Sequence, residues 1–157
     1  MKKLLLLITT ITLVSCSETV EAERIPWTTS SEEAHALFED FLIRGEKRLW
    51  DTELAEKMMD SILELDPQFI FAKTRDGFGT SVENRENLLY AYENREKVSD
   101  IEKRLIESFY EVWINGNSVK QDEMMDKLVE DYPQYYQLRI WSGDIKNDLQ
   151  DPKASQK

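Results

Sequence analysis

Sliding the chain against itself by 66 residues brings Glu56–Phe69 onto Asp122–Tyr135 without a gap, and six of the 14 aligned positions are identical. Four others keep their chemistry, and the same shift carries Gly77 onto Gly143, ten residues beyond Pro67 and Pro133. One offset therefore links a helix, its terminating proline and a glycine in the next helix. The aligned stretches have helical periodicity: Leu54, Met58 and Ile62 run beside Ala55, Met59 and Leu63, a two-residue-wide apolar stripe that reappears as Met124, Met125, Leu128, Val129 and Tyr132. Between them Ile101, Leu105, Phe109 and Val112 run beside Ile106, Tyr110 and Trp113. Capping boxes at Ser30/Glu33, Thr80/Glu83, Ser99/Glu102 and Ser118/Gln121 predict helix starts, and the two prolines predict stops. Seven helices are expected, over 31–44, 51–65, 68–77, 81–97, 99–115, 118–131 and 134–143. Two helix pairs in 66 residues give 33 residues per pair, the unit size of a helical solenoid.

No alternating run argues for a strand, and Gly plus Pro make only 9 of 157 residues, so the expected class is all-α. A chain of this length fits one domain with a core of its own. One Cys and one His exclude a disulfide framework within the chain, a Cys/His zinc site and any catalytic arrangement that needs two histidines. The formal charge of −11 argues against a general grip on nucleic acid.

The N-terminus reads as an address. Lys2 and Lys3 precede an 11-residue apolar run, Leu4–Val14, too short to span a bilayer and followed at once by polar residues. Leu13-Val14-Ser15-Cys16 resembles the lipobox of bacterial lipoproteins. The resemblance implies removal of residues 1–15, acylation of Cys16 and stable attachment to a membrane by two or more acyl chains. Ser17 is not the aspartate that retains many such proteins at the inner membrane, so the resemblance implies the outer membrane, on its periplasmic or surface side. Loss of Lys2 and Lys3 leaves 18 basic against 31 acidic residues, a net charge of −13. Residues 16–30, polar and broken by Pro26, are expected as a flexible tether whose one large apolar group, Trp27, folds back onto the first helix.

Residues 31–143 resemble a tetratricopeptide repeat domain. Ala55, Met59, Ile62 and Pro67 occupy the second-helix and closing places of that motif, as Gln121, Met125, Leu128 and Pro133 do again. Gly116 falls between helices, and Gly77 and Gly143 fit the close-packed place of their first helices. Lys73 and Arg139 stand where a large aromatic is common, and Trp50 replaces the usual inter-helix glycine. The resemblance implies a short α-solenoid of about three helix pairs plus a closing helix, with residues 144–157 as a polar tail. It also implies a groove lined by the first helix of each pair. That register turns Asp40, Arg44, Lys47 and Arg48, then Thr74 and Phe78, then Lys103, Ile106, Tyr110 and Trp113 toward the groove.

Catalytic chemistry finds little to use. His35 lies among Glu32, Glu33 and Glu39 with no serine placed by a nucleophile motif, and Gly77-Phe78-Gly79 follows a helix and lacks a third glycine. The acidic pairs lack the spacing of a calcium loop, and both Met pairs sit on the apolar stripe. The expectation is a non-catalytic, cofactor-free, lipid-anchored envelope protein that binds a protein or peptide partner. The alternative is a helical envelope protein that takes a small molecule or glycan at an aromatic patch of Tyr110, Trp113, Tyr135 and Trp141.

Overall fold

A computed structural model describes residues 23–49, 51–75 and 81–150. They form seven α-helices: α1 Glu32–Glu46, α2 Thr52–Leu65, α3 Ile70–Lys73, α4 Ser81–Asn94, α5 Asp100–Trp113, α6 Ser118–Asp131 and α7 Tyr136–Gln150, with a 3-10 turn over Arg95–Lys97. The described residues are thus all-helical, as expected. α6 begins and ends 66 residues after α2, and α7 begins 66 residues after α3. Burial follows the same shift: Met59 and Met125 are sealed, as are Ile62 and Leu128. Consecutive helices pack along the chain, α1 on α2, α3 on α4, α4 on α5, α5 on α6 and α6 on α7.

Local chemistry accounts for the helix ends. Ser99 and Glu102 make the expected capping box on α5. Two other starts differ by one residue from expectation. Ser31, not Ser30, caps α1 by accepting from the Ala34 N–H, and Asn117, not Ser118, caps α6 by accepting from Lys120. In each case neighbouring polar residues both suit the cap, and the one in extended or non-helical geometry takes it. Gly116 has φ +67, the left-handed conformation expected between helices, whereas α1 ends with Arg48 in that region, φ 54. Gly143 departs from its expected close-packed place, since a Cβ there would meet nothing within 4 Å.

The core is built of Phe38, Phe41, Met59, Ile62, Phe69, Phe71, Leu105, Ile106, Met125, Leu128 and Leu138. Two segments expected to be loose belong to the ordered body. α7 continues from Asp144 to Gln150, because Ile145 packs against the core and Lys146 pairs with Asp126 and Asp122. Residues 23–30, expected as part of a flexible tether, form an extended strap with Ile25 1% and Trp27 5% exposed. Its alternate residues Pro26 and Thr28 are exposed, which is the two-residue period of extended chain, and the Thr28 hydroxyl still reaches the Glu102 carboxylate. Trp27 does fold back onto the first helix, edge-on to Phe38 with ring centroids 5.4 Å apart. The expected leader and acylated Cys16, together with Trp50, Gly77, Phe78 and residues 151–157, lie outside the described residues.

Candidate functional site

The strap crosses a face shared by α1, α3, α5 and α7, and each of these helices supplies a contact. Trp27 stacks on Phe71 of α3 at 4.5 Å and lies 6.3 Å from Trp141 of α7, while its Nε1–H donates to Glu39 of α1 at 2.5 Å. The backbone is held by side chains: the Ile25 N–H donates to Gln137 Oε1 at 2.9 Å and the Thr28 N–H to Glu102 Oε1 at 2.9 Å. At its C-terminal end the Ser30 N–H and the Thr29 hydroxyl donate to Asp66 Oδ2 at 2.9 and 2.6 Å. Partial burial works against the Asp66 charge, but donors from Thr29, Ser30 and Gln68 prevail and hold its carboxyl below the ordinary value.

At the N-terminal end Arg24 gathers acids from one helix and a phenol from another. It pairs with Glu39 and, at 3.0 Å, with Glu46, and it donates to the Tyr136 hydroxyl, which itself donates to Glu46 at 3.0 Å. Burial opposes its charge, yet the Glu46 and Glu39 carboxylates raise the Arg24 guanidinium above its ordinary value. The same cluster brings the first and last helices together, and Arg48 adds a second link to Asp144 at 3.1 Å. The face therefore carries an extended peptide already, and α1 meets α7 beside it.

The residues expected to line a groove occupy several environments. Asp40 and Arg44 pair with each other at 2.9 Å on α1, Lys47 is exposed at its end, and Arg48 is engaged with Asp144. The Thr74 hydroxyl donates back to the Phe71 carbonyl at 2.7 Å. Ile106 is fully buried, so it belongs to the core and offers no exposed contact. Lys103 pairs with Glu96 at 2.7 Å, and Tyr110 stacks on Tyr92 at 3.8 Å, so both face α4 and its terminal turn. Trp113 is 73% exposed. The aromatic set considered as an alternative is also dispersed: Tyr110 meets Tyr92, Tyr135 meets Tyr132, and Trp141 meets Trp27.

Arg24, Glu39, Asp66, Glu102 and Gln137 were not singled out from the sequence as site residues. The available signal was short: Ile25 and Trp27 alternate with polar residues around Pro26, a pattern that suits extended chain held on one side. Comparison with protein-family models, curated proteins and solved structures finds no match. Among the described residues no three His, Cys, Asp or Glu side chains are grouped to hold a metal ion. His35 opens on a shallow depression of about 200 Å³ lined by Trp27, Thr29, Ser30, Ser31 and Glu32. The hydroxyls there are engaged elsewhere, Thr29 and Ser30 with Asp66 and Ser31 with the Ala34 N–H.

Proposed function

We propose that this chain is a non-catalytic lipoprotein of the bacterial outer membrane whose helix pairs, of tetratricopeptide-repeat kind, hold an envelope protein or peptide. The observation that carries the reading is the strap. An extended segment is seated on α1, α3, α5 and α7 with alternate side chains buried and two backbone N–H groups held by Gln137 and Glu102. Backbone capture with pockets for alternate side chains is how sheet edges take extended peptides, and the strap shows the same two features on a helical face. The lipobox at Cys16 supports the anchor, and the seven residue steps from Cys16 to Glu23 keep the body within about 25 Å of the membrane surface.

A photo-reactive residue at Pro26, on the exposed edge of the strap, tests the binding reading in intact cells. A discrete cross-link to one envelope protein is expected, and cross-links confined to the chain itself would refute it. Mass spectrometry of the native protein should find Cys16 as its acylated first residue. Recovery of unmodified chain from the soluble fraction would remove the anchor from the reading.

A further inference from the structure

Arg75 follows α3 and reaches under the strapped face. Its Cζ lies over the Phe109 ring at 4.8 Å and over the Trp141 ring at 4.3 Å. Neither Nε nor Nη2 has a hydrogen-bond acceptor among the described residues, and both atoms are sealed from solvent. These two nitrogens share one edge of the guanidinium, the planar fork that meets a carboxylate with two parallel bonds. Burial pushes the guanidinium down to about 10, so the group is still charged at neutral pH. Gln137, one turn before Trp141 on α7, is fully buried and has a second orphan donor, Nε2, while its Oε1 accepts from Ile25. The orphan groups of Arg75 and Gln137 are thus all N–H donors, one of them charged, and Arg75 lies against the rings of Phe109 and Trp141. Buried donors left without acceptors are costly and rare in folded chains, and a buried charge without a counter-charge more so.

We propose that Arg75 and Gln137 form an anion site for a small carboxylate carried on a planar apolar body, with the rings of Phe109 and Trp141 receiving the body. The carboxylate supplies the paired acceptors that the Arg75 fork lacks. This goes beyond the reading of the strap as a peptide-like occupant and does not depend on it.

The test uses the full chain in detergent, at matched chloride concentration, titrated with benzoate, acetate, benzamide, inorganic phosphate and a short peptide with a free C-terminus. Melting temperature and tryptophan emission are followed together, since Trp141 and Trp27 adjoin the site. Benzoate should give a saturable rise in melting temperature and a change in emission, acetate a weaker one and benzamide none. Arg75→Met should weaken benzoate binding roughly 10- to 100-fold, the size expected for charged hydrogen bonds. It should also leave the ligand-free melting temperature unchanged or raised, because replacing an unpaired buried charge by an apolar chain of similar length removes a penalty. Arg75→Lys, which keeps charge without the fork, should bind benzoate more weakly than the native chain.

A native chain that responds to no carboxylate overturns the proposal, and this result needs no variant to fold. So does a response shared by benzamide, tighter binding of phosphate or of the peptide than of benzoate, or an undiminished response in Arg75→Met or Arg75→Lys. A large fall in the ligand-free melting temperature of Arg75→Met would make the arginine a structural residue and overturn it equally.

Discussion

Asp66 shows how one side chain couples a helix end to a distant segment. It caps the C-terminus of α2, and its carboxylate receives the Thr29 and Ser30 donors from the strap and the Gln68 N–H. Since its folded value lies below the ordinary 3.8, the stability it contributes is fully present above that pH and is lost as pH falls through the folded value. Acid titration followed by hydrogen exchange should therefore show protection of Ser30 failing only below the ordinary 3.8. Asp66→Asn should cost about 1.5–3 kcal/mol at neutral pH in denaturant unfolding and flatten the acid limb of the stability curve. An unchanged limb would assign acid sensitivity to other carboxylates. Arg48 offers the opposite sign. Its left-handed φ of 54 is a strain that glycine avoids, and its ion pair with Asp144 is exposed, 81% and 53% for the two side chains. Arg48→Gly should change stability by between 0 and about +1 kcal/mol. A loss above about 1 kcal/mol would instead show that the Asp144 pair holds the ends of the stack together.

At the scale of elements, the repeat at offset 66 was legible because apolar stripes, prolines and helix bounds all obey one shift. Met59 on α2 and Leu128 on α6, both fully buried, express the same seam twice. Met59→Asp or Leu128→Asp should each destabilise the chain by more than about 4 kcal/mol, seen as loss of the cooperative melt by circular dichroism. Survival of either variant with a native melt would mean that the seam opens to water at that helix. The strap was harder to see. Its contacts lie 12 to 112 residues away along the chain, at Glu39, Asp66, Glu102 and Gln137. A short polar segment without helical period carries no local signal of such partners, so it resembles a linker. Only Trp27, too large and apolar to leave in water, pointed back to the body. Trp27→Ala should cost about 3–5 kcal/mol and expose Ile25 and Thr28 to exchange before the helices open. Simultaneous exchange of strap and helices would show that the two unfold as one unit.

For the whole molecule, charge decides how the closed arrangement responds to its surroundings. The chain without residues 1–15 has a net charge of −13, so compaction gathers like charges into a small volume and the folded state repels itself. Against this stand the ion pairs, of which the Arg24 cluster is the most sheltered among the described residues: its side chains are 25%, 15% and 10% exposed at Arg24, Glu39 and Glu46. Pairs such as Lys57–Glu53 are largely open to solvent and contribute little. Salt shortens the reach of charge to about 10 Å at 0.1 M and about 3 Å at 1 M, so it weakens the long-range repulsion more than it weakens the sheltered pairs. The melting temperature of residues 17–157 should accordingly rise between 0.05 M and 0.5 M sodium chloride. Arg24→Met removes the cation from between Glu39 and Glu46 and leaves two carboxylates facing each other where α1 meets α7. That variant should melt lower than the native chain at every salt concentration, and its rise with salt should be steeper, because screening now relieves a close repulsion as well as the distant one. A native melting temperature that falls with salt would instead show that the pairs tying α1, the strap and α7 outweigh the net charge, and that the closed ends of the stack are held mainly by electrostatics.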